Sequence, residues 1–157
     1  MAEHVFKREL TIDLPRAEVF GFFADAANLE RITPAELSFH ISTPQPIEMR
    51  EGTLIDYRMR LNGLPMSWRT LISKWDPPNE FIDEQLSGPY KQWIHRHTFT
   101  ALGPDKTLIE DEVRYRLPFE PFGDLAHFLV EGQLRKIFDH RQKFVVEHFR
   151  DTSSRRA

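Results

Sequence analysis

At 157 residues the chain is long enough for one domain with a substantial core, and its apolar and charged fractions are those of an ordinary globular protein. A formal net charge of -3 with no basic stripe gives no electrostatic reason to expect nucleic acid, and the lack of cysteine excludes disulfides, thiolate metal sites and thiol nucleophiles. No apolar run is long enough to span a bilayer and none opens the sequence, so the expectation is no integral membrane association, no signal peptide and a cytoplasmic location.

Taken in order, Val5 to Leu14 reads as a strand that buries Phe6, Arg8, Leu10 and Ile12 and turns Lys7, Glu9 and Thr11 outward. Asp13-Leu14-Pro15 then predicts a helix start, with Asp13 as the capping acceptor, Pro15 in the first turn and Glu18 at the positive end. Val19, Phe20, Phe22 and Phe23 make that helix apolar around much of its circumference, so it should be well buried. Asn28 to Ile32 predicts a second short helix, stopped by Thr33-Pro34. Strands are expected at Leu37–Thr43, at Thr53–Leu61, at Met66–Trp75, at Phe81–Leu86, at Trp93–Phe99 and at Thr107–Leu117. Asn62-Gly63, Asp76-Pro77-Pro78-Asn79, Ser87-Gly88-Pro89-Tyr90 and Leu102-Gly103-Pro104-Asp105 supply the turns of an antiparallel meander.

From Phe122 the period lengthens. Leu125, Leu129, Leu134, Ile137, Phe138, Arg141, Val145 and Phe149 recur every three or four residues and predict one long helix, with Gly123-Asp124 offering the cap. A run of strands followed by such a helix is the α+β pattern, a sheet wrapped on an apolar stripe. No repeat, linker or low-complexity stretch interrupts it, so a single domain over 1–151 with a frayed tail at 152–157 is expected.

The unusual strand is Trp93-Ile94-His95-Arg96-His97-Thr98-Phe99, one face of which carries Trp93, His95, His97 and Phe99. A hairpin register that sets Phe99 opposite Ile109 also sets His97 opposite Asp111 and His95 opposite Val113, with Tyr115 on the same face. By the same alternation Tyr57, Met59, Trp68, Thr70, Asp83 and Gln85 point inward. Buried polar groups cost roughly 1–3 kcal/mol each when unmatched, so a set this large is either a hydrogen-bond ladder that pins the register or the polar side of a ligand cavity. The two fit together if His97–Asp111 is the ladder and His95 the ligand contact. Thirteen Phe, three Trp and three Tyr are a surplus that a cavity would use, although an aromatic core would use it too.

Other chemistries find less support. His-x-His with Asp111 as a third donor resembles some zinc and iron sites, but the donors are adjacent rather than converging, so no metal and no cofactor is expected. No serine elbow, phosphate-cradling glycine loop or dinucleotide fingerprint is present. His127, His140 and His148 are read as solvated or capping, and Arg141 as a stripe residue that could reach Asp83 or Asp111.

Asn28-Leu29 with Ile32-Thr33-Pro34, Gly52-Thr53 before Asp56-Tyr57, and Trp68-Arg69-Thr70 with Ile72 resemble the SRPBCC or START-like (Bet v 1-like) superfamily. So do Phe81-x-Asp83-x-Gln85, Gly88-Pro89-Tyr90, Trp93-x-His95-x-His97-x-Phe99, Asp111-x-Val113-x-Tyr115-x-Leu117-Pro118, and Ile137-Phe138 with Arg141. The resemblance is to the polyketide cyclase/dehydrase-like branch, which is sometimes found beside or fused to sugar-nucleotide-epimerase-like domains. It implies the helix-grip fold: a curved seven-stranded antiparallel sheet around a long C-terminal helix, with two short helices after the first strand. It also implies an apolar or amphipathic small-molecule partner such as a lipid, quinone or polyketide.

The expected function is therefore an internal cavity for an apolar or aromatic ligand. Tyr57, Met59, Trp68, Thr70, Trp93, Phe99 and Tyr115 would supply contacts, while Asp83, Gln85, His95, His97, Asp111 and Arg141 would orient polar groups. The alternative is a cyclase- or dehydratase-type enzyme in which His95, with His97 and Asp111, acts as general acid or base on a carbonyl substrate. A further alternative is a partner-binding module whose cavity is filled by its own aromatics.

Overall fold

Alternation of apolar and charged residues is converted into seven strands: β1 (His4–Ile12), β2 (His40–Ile41), β3 (Leu54–Leu61), β4 (Leu64–Asp76), β5 (Glu80–Ser87), β6 (Gln92–Gly103) and β7 (Lys106–Arg116). The helices are α1 (Arg16–Ala24), α2 (Ala27–Arg31) and α3 (Phe122–Arg156), with a single 3-10 turn at Ala35–Leu37. The computed structural model describes the backbone of residues 3–118 and 122–156, and the side chains of 3–118 and 126–151. The strands form one antiparallel sheet in the order β1-β7-β6-β5-β4-β3-β2, and its ends do not meet. Its concave face grips α3, with α1 and α2 filling the gap after β1. This is the helix-grip fold.

Register settles which side chains look inward. Asn62 and Gly63 both adopt positive φ, 52° and 80°, the turn that joins twisted strands with only two residues. It pairs Met59 with Met66 and Tyr57 with Trp68, so those four share the concave face. A bulge between Ile72 and Lys74 shifts the phase of β4, which places Trp75 rather than Lys74 opposite Phe81. Across β6 and β7 the register is Phe99–Ile109, His97–Asp111 and His95–Val113. Asp83 lies opposite His95 and Phe81 opposite His97.

Three apolar clusters hold these layers together. Phe20 and Phe22 of α1 pack with Phe81, Phe99, Ile109, Val145 and Phe149. Phe6, Val113, Tyr115 and Leu117 pack on Leu134 and Phe138 of α3. Ala26, Ile41, Ile55 and Ile72 close the β2–β4 side.

Four expectations are corrected locally. Asp13 caps nothing: Pro15 occupies the cap, and its carbonyl accepts the Glu18 and Val19 N–H groups at 3.1 Å each. The strand expected at Leu37–Thr43 shrinks to His40–Ile41, because Leu37 ends a 3-10 turn and Ser38 takes φ 46°, which breaks extension. Leu129 is 66% exposed, out of phase with a stripe that instead runs through Val130, Leu134 and Phe138. His127 is engaged rather than simply solvated: one third exposed, its ring stacks on His4 at 3.7 Å and its Nδ1 meets the Tyr115 hydroxyl at 3.1 Å. Side chains at Gly123-Asp124, the expected cap, and at 152–157, the expected frayed tail, lie outside the described residues; the helical backbone continues to Arg156. Among the described residues no helix is long and apolar enough to cross a membrane.

Candidate functional site

A cavity of about 170 Å³ lies between the concave sheet, α1–α2 and α3. Of the residues expected to line it, Tyr57, Met59, Trp68, Thr70, Asp83, Trp93, His95, His97 and Arg141 do so. Gln85, Phe99, Asp111 and Tyr115 do not. Gln85 turns away to clamp the β5–β6 turn, its amide donating to the Tyr90 carbonyl at 2.7 Å and accepting the Tyr90 N–H at 3.1 Å. Phe99 is enclosed by the α1 rings. Tyr115 is packed beneath α3 and committed to His127. Asp111 stands behind the histidines.

That corner holds the chemistry. Consecutive inward residues on a strand are separated by about 6.7 Å, two residues of rise. The rings of His95 and His97 nevertheless stack at 3.7 Å with 28° between their planes, so each leans toward the other. Leaning carries each Nε2 to the carboxylate that lies opposite its neighbour. His95 Nε2 meets Asp111 Oδ1 at 2.8 Å, and His97 Nε2 meets Asp83 Oδ2 at 2.6 Å. The expected His97–Asp111 ladder is thus replaced by two diagonal bonds. His97 Nδ1 still lies 3.3 Å from Asp111 Oδ1, but out of line for a hydrogen bond. Phe81 stacks on the far face of His97 at 4.1 Å, and Phe138 of α3 meets His95 edge-on at 5.6 Å. Arg141 descends from α3 between Phe23 and Phe138 to reach Asp111 Oδ1 at 3.7 Å.

Burial alone would push both carboxyls up. For Asp111 the Arg141 guanidinium and the two imidazoles outweigh it and hold the group well below the ordinary carboxylate range. For Asp83 the His97 hydrogen bond and the charges of the imidazoles and Arg141 hold it below the ordinary value. Burial lowers both histidines as well. His95 stays low, with the neighbouring His97 charge adding to desolvation, whereas the Asp111 carboxylate 3.3 Å from Nδ1 and the hydrogen bond to Asp83 raise His97 above its ordinary value. Of the two imidazoles His97 is therefore the one that holds a proton more firmly, beside two carboxylates and the Arg141 guanidinium. A carboxylate only accepts, so His95 carries its hydrogen on Nε2 and its lone pair on Nδ1.

Asp83, His95 and His97 each place a donor atom within 4.8 Å of the others, with Asp83 rather than Asp111 as the third member. In this structure two of those groups bond each other, His97 Nε2 to Asp83 Oδ2 at 2.6 Å.

The rest of the wall is mostly apolar, with Asp25, Asn28, Thr33 and Gln133 also on it, and was missed in the sequence. Phe22, Phe23, Leu29 and Ile32 cover one side, and Leu134, Ile137 and Phe138 the other. The available signal was α1 itself: a helix apolar around much of its circumference has more than one surface to bury against. Tyr90, fixed by Gln85, completes an aromatic group with Trp68 and Trp93.

A curved sheet gripping a helix over a lined cavity defines the START-like class of helix-grip proteins. The chain belongs to the family described as polyketide cyclase/dehydrase and lipid transport, whose model matches residues 12–145. A comparison with curated proteins by sequence finds no match. Among solved structures it is similar to the ZhuI aromatase/cyclase from Streptomyces sp. R1128, at 15% identity and TM-score 0.73, over 94% of this chain and 93% of that one. It is similar to a START superfamily protein from Mycobacterium smegmatis, at 13% identity and TM-score 0.69, over 93% and 99%. A third likeness is to a point mutant of Thalictrum flavum norcoclaurine synthase in complex with a transition-state analogue, at 16% identity and TM-score 0.67, over 94% and 96%. At such identities the likeness is one of fold.

Proposed function

We propose that this protein binds a compact apolar or aromatic molecule, holding its rings against Trp68, Trp93 and α3 and its polar end against the His95–His97 pair. The observation that carries this reading is a largely apolar cavity with one polar corner whose carboxylates are paired with His95, His97 and Arg141. Its volume, about 170 Å³, is close to the ≈150 Å³ of an engineered cavity that takes benzene. Of lipid, quinone and polyketide-like ligands, that volume favours a compact ring over an extended acyl chain. A larger guest requires α3 or the α1–α2 segment to move outward. Open space of this kind is at odds with an interior filled by its own aromatics. A cytoplasmic setting belongs to the same reading and is compatible with the cysteine-free composition. Native mass spectrometry of the protein purified without added ligand tests the binding reading. An extra small-molecule mass released on denaturation supports it; an empty protein that takes up no supplied aromatic contradicts it.

One observation favours a second, catalytic reading. His95 stacks on His97 at 3.7 Å, with burial lowering the first and the neighbouring carboxylates raising the second, so two imidazoles of opposite proton affinity share one cavity wall. In a cyclase- or dehydratase-type reaction His95 Nδ1 would take a proton from a carbon beside a carbonyl, with Asp111 holding the ring in the required tautomer. Deuterium exchange into the methyl group of acetophenone, followed by NMR, separates the readings. Exchange that His95→Ala abolishes while binding persists marks an enzyme. No exchange above the buffer rate leaves a binding protein.

A further inference from the structure

Asp83, His95 and His97 line the cavity, and donor atoms of the three lie within 4.8 Å of one another. The hydrogen bonds single out which atoms are available. His95 commits Nε2 to Asp111 Oδ1 at 2.8 Å, which leaves Nδ1 on the side of Asp83, 3.8 Å from Oδ2. His97 turns Nε2 to that same Oδ2 at 2.6 Å, while its Nδ1 is buried without a hydrogen-bond partner, 3.3 Å from Asp111 Oδ1. One nitrogen of each imidazole therefore lies beside Asp83, and the other two lie beside Asp111. Strand alternation alone makes the two histidines merely adjacent; their lean toward each other is what gathers the donors. Three ligands bonded to one zinc ion at about 2.1 Å in a tetrahedron lie about 3.4 Å apart. The 2.6 Å and 3.8 Å separations fall on either side of that spacing, so shifts of less than about 1 Å bring the donors to it. Asp111 stands where metal sites place an outer carboxylate, on the far nitrogens of the ligating rings. It is held in turn by Arg141 at 3.7 Å, and Phe81 and Phe138 pack on the two imidazoles.

We propose that Asp83, His95 and His97 form a site for a divalent transition-metal ion of the zinc or ferrous class. Its ligands are His95 Nδ1, His97 Nε2 and Asp83 Oδ2, with Asp111 as the outer carboxylate for both rings. Two imidazoles with one carboxylate suit such ions, whereas calcium and magnesium take oxygen. As the ion takes the lone pair of His97 Nε2, the hydrogen there is given up and the ring keeps its hydrogen on Nδ1, facing Asp111. Three protein ligands leave a position open to the cavity, the pattern of a catalytic rather than a structural metal. The site stands whether or not the cavity takes an organic guest. With an ion bound His95 Nδ1 is no longer free to act as a base, and the proton pattern described above is that of the metal-free corner.

Zinc chloride titrated by calorimetry into protein stripped with EDTA is expected to bind wild type at one equivalent, and equally well His140→Gln, which removes an exposed imidazole. Asp111→Asn weakens zinc by about ten- to hundredfold, the worth of an outer carboxylate, and Asp83→Asn, which removes a ligand, weakens it further. A second readout needs no variant: cobalt(II) added to wild type shifts the ring signals of both His95 and His97 through its unpaired electrons. The proposal is overturned if wild type takes up no zinc, if Asp83→Asn binds zinc as tightly as wild type, if His140→Gln abolishes binding, or if cobalt moves only exposed rings such as His40 and His140.

Discussion

Replacing Asp111 with asparagine keeps the side-chain shape and removes one charge from the middle of the network. Three groups lose their anion: His95 at 2.8 Å, His97 at 3.3 Å and Arg141 at 3.7 Å. Breaking one partner out of a buried ionic set costs about 3–5 kcal/mol, a large part of the 5–15 kcal/mol that stabilises a typical domain. Here the cost depends on pH, because the network can restore neutrality by releasing the His97 proton. His97, raised, contributes stability that is fully present below about pH 6.5 and is lost as pH rises through its folded value. Asp111, lowered, contributes stability that is present above about pH 3.8 and is lost as pH falls through its folded value. Asp111→Asn removes much of what raises His97, so protonation is no longer rewarded in the folded state. The deficit therefore grows as pH falls: about 1–3 kcal/mol at pH 8 and about 3–5 kcal/mol at pH 5. Urea unfolding followed by tryptophan fluorescence reads this as a midpoint shift on the order of 2 M at pH 5 and clearly less at pH 8. Equal shifts at the two pH values, or a loss below about 1 kcal/mol at both, would refute the charge accounting.

At pH 6.5, nitrogen NMR should show His97 as imidazolium and His95 as a neutral ring with its hydrogen on Nε2; the reverse assignment contradicts the tautomer argument. Leu134→Ala, at a position 2% exposed on the cavity wall, should cost about 2–5 kcal/mol in denaturant unfolding while admitting bulkier rings; unchanged ligand size selection would show that α3 does not bound the cavity. Gly88→Ala places a Cβ 2.5 Å from Gln85 Oε1, so Gln85 must release Tyr90; a loss of about 1–2 kcal/mol and weaker aromatic binding are expected, and binding equal to wild type would show that Tyr90 does not matter to the guest.

The fold was legible because strand alternation and turn chemistry agree with each other. Asn62-Gly63 fixed the β3–β4 register, and the short β6–β7 turn fixed His97 opposite Asp111, so side-chain facing could be counted from either. What alternation cannot supply is tilt. Cross-strand position named the right four groups at the polar corner but not their bonds, because those follow from two rings leaning 3.7 Å apart. Inward facing also does not mean cavity-lining: Phe99 and Tyr115 face inward and are covered by α1 and α3. Gln85 was lost to the turn beside it, where a side chain of the right length satisfies backbone groups more cheaply than a ligand would. Leu129 failed for a simpler reason, since a helical stripe drifts and one leucine beside it need not belong to it.

The central claim is that a guest sits between the histidine corner and α3. Intermolecular NOEs from bound acetophenone test it most directly. Contacts from its ring protons to His95, Trp93 and Leu134 together are the predicted result; a ligand that binds with no NOE to any of the three, touching only exposed side chains, would contradict it.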